Sequence, residues 1–245
     1  MQSGSILYTD TDSPLPAPDI REICRYLGYR GTGPDTAVLD RIRRITKDLE
    51  AVSTPGFVSV TLPLTFDAAP EAPEDIPAIR FGGLEVQSRD LYRNLQGCCR
   101  VTLFAATLGL GPDRLQERLS IISMNDAMTA QCAAAAMVEA LCDMHNEWLR
   151  REAAAEGFSL RPRFSPGYGD FRLEYQEDLI RLLDAGRQIG LSLTESLMMV
   201  PSKSVTALIG IYKNTDPAEG DMPAAGCAAC SMRDTCSFRK DDYES

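Results

Sequence analysis

The sequence predicts a mixed α and β fold, on three observations. Two stretches near the start carry apolar residues at helical spacing, several apolar runs in the middle are bounded by glycine and proline, and a long alanine-rich stretch after residue 123 keeps a helical period. Residues 19–27 put Ile20, Ile23, Tyr26 and Leu27 on one helix face, and residues 35–51 do the same with Val38, Leu39, Ile42, Ile45 and Leu49. The segment 31–34, with its glycines and proline, separates them. Pro55-Gly56 opens a strand over residues 57–62, and residues 68–77 read as a Pro/Ala/Glu linker. A second strand is expected over 79–86, a short helix over 90–96, and a buried strand over 99–107 that Gly109 and Gly111 stop before Pro112 restarts a helix.

The longest helix is expected over 123–155, capped by Ser123 or Asn125 and ended by Gly157. Met124, Met128, Cys132, Ala135, Val138 and Leu141 form its apolar face, and the alanines 133–136 favour close packing. One helix is expected over 175–190, with Leu179, Ile180, Leu182 and Leu183 on its apolar side. Segments 192–199 and 204–211 read as strands paired around Pro201-Ser202, although the first fits a short helix equally well. No internal repeat is present.

Composition excludes several classes. The 245 residues are 44% hydrophobic and 24% charged, which suits an ordinary core rather than disorder. No window approaches the ~18 uninterrupted apolar residues of a membrane span, and the N-terminus lacks the basic start and apolar core of a signal peptide. A cytoplasmic protein with mostly reduced thiols and no membrane partner is expected. A net charge of −10 argues against nucleic acid, whose backbone demands clustered lysine and arginine.

The segment 161–170, Arg-Pro-Arg-Phe-Ser-Pro-Gly-Tyr-Gly-Asp, concentrates groups suited to gripping a ligand. Pro166-Gly167 is a turn, Arg163 can fork onto a carboxylate, and Tyr168 can stack on a ring or donate a hydrogen bond. A plain surface loop with a snorkelling arginine is the other reading. Three blocks here then resemble the activation domain of cobalamin-dependent methionine synthase: Met137-Val-Glu139-Ala-Leu, Arg163-Phe-Ser-Pro-Gly-Tyr168, and the stretch from Leu193 through Pro201 to Thr206. Residues 21–29 and Thr107-Leu-Gly109 are similar to the short, free-standing bacterial homologues, so action in trans is expected.

The resemblance implies an α+β fold, with a bent antiparallel β-sheet flanked by helices. It divides the chain into a helical and strand segment (1–75) packed on the core, an S-adenosylmethionine-binding core (76–215), and a cysteine-containing tail (216–245). It also implies that Arg163 grips the ligand's carboxylate, that Glu139 pairs with its amino group, that the Ser165 and Gly167 backbones approach it, and that Tyr168 lies near the cobalamin face. The expected partner is a corrinoid-binding protein or methionine synthase modules, with a reductant protein, and the expected function is support of reductive methylation of cobalamin on that partner. No catalytic residue is assigned. The family's N-terminal acidic ligand contact has no visible match in this sequence.

In the tail, Cys227, Cys230 and Cys236 are close enough to bind zinc or an iron–sulfur cluster, given a fourth ligand from elsewhere such as Cys98 or Cys99. Redox work or unliganded thiols are the other readings, and the spacing is not that of radical S-adenosylmethionine enzymes. A metal-binding electron-transfer accessory protein is therefore the alternative function. Cys132 and Cys142 read as core residues. His145, the single histidine, has no nucleophile motif beside it and reads as a partly exposed helix-face residue, and Lys203 lacks the glycines of a phosphate loop.

Overall fold

A computed structural model describes residues 7–29, 33–67 and 77–214. The helices start where side chains can take over orphaned backbone N–H groups. Asp19 accepts from Arg21 N ahead of α1 (Ile20–Tyr26), and Asp35 accepts from Val38 N ahead of α2 (Thr36–Val52). Ser88 caps α3 (Arg89–Leu95), Pro112 sits in the first turn of α4 (Gly111–Ile122), and Ser123 caps the 32-residue α5 (Met124–Ala155).

One five-stranded antiparallel sheet organises the molecule. Its order is β1 (Tyr8–Asp10), β2 (Gly56–Pro63), β6 (Arg100–Thr107), β10 (Ser204–Lys213) and β7 (Phe158–Leu160). The sheet thus takes strands from both sides of residue 75. Helices α1, α2, α4 and α5 cover one face, where Phe57, Phe104, Ala106, Ala207 and Ile209 meet Ala130, Ala134, Met137 and Leu141. The other face packs Val58, Leu103 and Leu208 against α3, α6 (Tyr175–Leu182) and α7 (Ala185–Ile189). This alternation of neighbours to opposite faces is the two-residue period of a strand buried on both sides. A small sheet of β3 (Thr65–Phe66), β4 (Ala78–Phe81) and β5 (Leu84–Gln87) joins the second layer, beside the two-stranded β8 (Ser192–Leu193) and β9 (Met199–Val200). Among the described residues, no helix is long and apolar enough to cross a membrane.

Four expectations about elements need correction. The single strand over 79–86 is a hairpin, because Gly82 and Gly83 both take positive φ and turn β4 back as β5. The helix over 175–190 breaks at Asp184, whose φ of 47° lies in the left-handed region, so that Leu183 and Ala185 can both be buried. Segments 192–199 and 204–211 do not pair. The first folds on itself as β8 and β9, while β10 lies in full register with β6 from Ser204 opposite Thr107 to Ile211 opposite Arg100.

The apolar face expected for α5 is right only in part: Cys132, Val138 and Leu141 are buried, but its start is not. Met124 and Met128 are exposed, and the inward stripe runs through Ala127, Ala130, Ala134, Met137 and Leu141. Small side chains let the helix approach the sheet closely, and shape outweighs hydrophobicity in choosing the buried face.

Candidate functional site

Arg163 is placed by strand-like pairing at the sheet edge. Beyond β7 the chain keeps alongside β10: Arg161 N donates to Gly210 O at 2.8 Å, and Phe164 and Leu208 exchange both backbone bonds at 2.8 and 2.9 Å. Phe164 packs into the core layer with Leu208, and the residue before it turns the opposite way, toward α5. There Arg163 Nη2 donates to Glu139 Oε2 at 3.0 Å and lies 2.8 Å from Asp143 Oδ1. Glu139 and Asp143 are one helical turn apart, and the guanidinium sits between two carboxylates that would otherwise repel.

The second nitrogen of the fork is left over. Arg163 Nη1 is buried and has no hydrogen-bond partner. Buried donors are normally satisfied, and an orphan on a cation is costly unless something supplies an acceptor.

That arginine opens onto a cleft of about 580 Å³, a volume within the range of small-molecule sites. Its floor is α5, where Ala136 and Ala140 keep the helix surface low between Glu139 and Asp143. Its opposite wall is the chain entering α1, with Pro16, Asp19, Glu22 and Tyr26. Glu22 is itself ion-paired to Arg25, whose guanidinium also lies over the Tyr26 ring, 4.7 Å from its centroid. Burial, aided by the Glu22 charge, pushes the Tyr26 phenol up, so it is a neutral hydroxyl at ordinary pH. Four carboxylates and an aromatic ring around one clamping arginine suit a ligand that carries a carboxylate at one end and positive charge elsewhere.

The loop beyond Arg163 has a different anchoring. Asp170 accepts from Ser88 Oγ at 2.6 Å, Arg89 N at 2.8 Å and Asp90 N at 3.1 Å, which ties the turn to the start of α3. Those bonds outweigh burial and hold its carboxyl below the usual range. Gly169 closes the turn at φ 54°, where a Cβ would stand 2.1 Å from Asp90 Oδ2. Gly167 N donates to Phe171 O at 2.7 Å, and Ser165 O accepts from Tyr168 N. Tyr168 is 61% exposed with its ring edge toward Phe164.

Of the residues singled out in the sequence, the structure brings Glu139 and Arg163 together, while Ser165, Gly167 and Tyr168 do not line the cleft. Sequence reasoning missed Asp19, Glu22, Tyr26 and Asp143. On its N-terminal side the cleft takes its acidic lining from Asp19 and Glu22. Their Asp-x-x-Glu spacing marked only a helix start, and nothing local tells which cavity a cap will face.

Cys132 and Cys142 are buried as expected, and burial pushes the Cys142 thiol far above its ordinary value. His145 corrects the expectation of partial exposure: it is 4% exposed and stacks on Phe57 with centroids 3.7 Å apart. Cys98 is buried, with its thiol pushed up to about 11 mainly by desolvation, whereas Cys99 is exposed. Cys227, Cys230 and Cys236 lie outside the described residues. Among the described residues, no group of three His, Cys, Asp or Glu side chains is placed to hold a metal ion.

Comparison with known proteins agrees with the sequence blocks. Residues 99–216, which contain Glu139, Arg163 and Tyr168, match the family described as the activation domain of vitamin B12-dependent methionine synthase. The resemblance seen in the sequence is therefore shown over that segment. A solved structure described as the MetH reactivation domain bound to AdoHcy is similar with a TM-score of 0.55, covering 87% of this chain and 80% of that one. At 17% sequence identity the likeness shows a shared fold. No curated protein matches the chain.

Proposed function

We propose that this chain binds S-adenosylmethionine in the Arg163 cleft and supports reductive methylation of a cobalamin carried by a partner methionine synthase or related corrinoid protein. The observation that carries the reading is Arg163 in the wall of a cleft that Asp19, Glu22, Glu139 and Asp143 also line, the one cation among four carboxylates of the described residues there. A free amino acid end needs an anion clamp and a carboxylate beside it, and a sulfonium favours negative charge and aromatic faces. The residues present fit that ligand. Arg163 would hold its carboxylate and Glu139 its ammonium, while Asp19, Glu22 and Tyr26 supply the field and ring surface for the cationic remainder.

When bound, S-adenosylmethionine would supply the methyl group to the partner's cobalamin, reduced beforehand by a reductant protein, and S-adenosylhomocysteine would leave. The chain's own work is positional: it fixes the donor on a rigid helix and sheet edge and leaves the cleft mouth to the partner. Exposed Tyr168, on a turn pinned by Asp170, is suited to meet that partner. The AdoHcy in the similar structure's description and the family match over residues 99–216 both support the ligand class.

Calorimetric titration of S-adenosylmethionine and S-adenosylhomocysteine into the wild-type chain and Arg163→Ala tests the reading. Saturable binding lost in the variant is expected, and equal affinity in both would remove it. The tail thiols are a separate proposal, which rests on the spacing of Cys227, Cys230 and Cys236 alone. An anoxic preparation that is brown, with a visible band lost on Cys227→Ser, would favour an electron-transfer accessory role. A colourless, metal-free one would sink it.

A further inference from the structure

We infer that Asp143 is a displaceable occupant of the carboxylate clamp: it takes at Arg163 the place that an α-amino carboxylate ligand claims, and so sets the affinity of the cleft for such ligands. The inference rests on the proposed reading of the cleft as a site for a ligand with an amino acid end.

Each terminal nitrogen of a guanidinium carries two protons, and a bidentate hold on a carboxylate uses one N–H from each of two nitrogens. In Arg163, Nη2 donates to Glu139 Oε2 at 3.0 Å and is ion-paired to Asp143 Oδ1 at 2.8 Å, while buried Nη1 has no partner. Buried Nη1 is closed to a ligand, so an incoming carboxylate meets the guanidinium at Nη2, beside the oxygen that Asp143 already places there. The two carboxylates on Nη2 are not equivalent. The Asp143 side chain is 69% exposed and that of Glu139 is 44% exposed, so the Asp143 pair is the more screened by water and the easier to release. Its short side chain also reaches Arg163 from one turn further along α5, at the edge of the cleft.

Asp143 thus contributes twice against the ligand. It fills the place beside Nη2 that the ligand needs, and its charge repels the incoming carboxylate. The same contact keeps Arg163 extended toward the helix and the clamp assembled. Asp143→Asn removes the charge with little change of shape on an exposed helix position.

The test is titration of S-adenosylhomocysteine and of 5′-methylthioadenosine, which lacks the amino acid end, into the wild-type chain and Asp143→Asn, with thermal midpoints as a check on folding. Expected is about fivefold tighter binding of S-adenosylhomocysteine by the variant, the scale of an exposed ion pair removed, and no change for 5′-methylthioadenosine. Equal or weaker binding of S-adenosylhomocysteine by Asp143→Asn, beside measurable wild-type binding, overturns the displacement and leaves the proposed ligand standing. Equal tightening of both ligands also overturns it, since the effect is then not on the carboxylate. No binding of S-adenosylhomocysteine to either protein removes the proposed function and this inference together.

Discussion

Asp143 and His145 are two residues apart on α5, and they live in opposite worlds. Two residues along a helix is about 200° of rotation, so one faces the cleft and the other faces the sheet. Asp143 meets Arg163 beside a cavity of about 580 Å³, whereas His145 stacks on Phe57 beside one of about 10 Å³, no larger than a water's share. Trp148 stacks on Tyr8 at 4.4 Å over the same region. The chain's only histidine, the side chain most often suspected of chemistry, is packing material here. Function is expected where charged groups meet open volume and an unmet donor, and His145 has neither.

That contrast can be broken by measurement. The largest effect expected is on Arg163→Ala, which should weaken S-adenosylmethionine about 10- to 100-fold in calorimetry, the worth of charge-assisted hydrogen bonds, while the thermal midpoint stays near wild type. A large fall in stability with unchanged affinity would mean that Arg163 is structural and His145 its equal. Glu139→Gln comes next, with about tenfold weaker binding of ligands that carry the free ammonium and little change for 5′-methylthioadenosine.

His145 should show itself through pH and stability instead. Burial pulls its pKa below the ordinary value, and the opposing charge of Asp10, 3.8 Å from Nε2, does not make up the difference. The unfolded chain therefore binds the proton more readily. Stability is full above about pH 6.5 and is lost as pH falls from there through the lower folded value, with a slope of at most about 1.4 kcal/mol per pH unit. Denaturant titrations at pH 5.5 and 7.5 should show this loss in the wild type and not in His145→Gln, and ligand affinity should not follow it. The smallest effect is expected for Tyr168→Ala: stability within about 0.5 kcal/mol and unchanged S-adenosylmethionine affinity, as befits an exposed ring outside the cleft. Weakened binding of the small ligand would extend the site past the turn.

The sequence made some of the site legible and hid the rest for a definite reason. Arg163 stood out because a turn-forming Pro-Gly pair and a phenol follow it within one short segment. Glu139 was legible only through the resemblance. Asp143 looked like any solvated helix charge, and Asp19 and Glu22 read as the start of α1, because their value depends on α1 packing across α5 more than a hundred residues away. The same blindness misplaced β10. Its apolar run was clear, but a strand's partners are chosen by sheet-wide register, and Ser204 opposite Thr107 is a pairing that no neighbouring residue specifies.

Sequence alone determined what local chemistry can determine. Asp19, Asp35, Ser88 and Ser123 fix helix starts through their own side chains, Pro166-Gly167 forces a turn, and apolar periodicity separates most helices from strands. Tertiary structure alone decided which face of α5 is buried, where His145 ends, and that Arg163, Glu139, Asp143 and α1 share one cleft. Those outcomes follow from packing volume and from the cost of burying charge, and both are summed over neighbours that only the folded chain brings together.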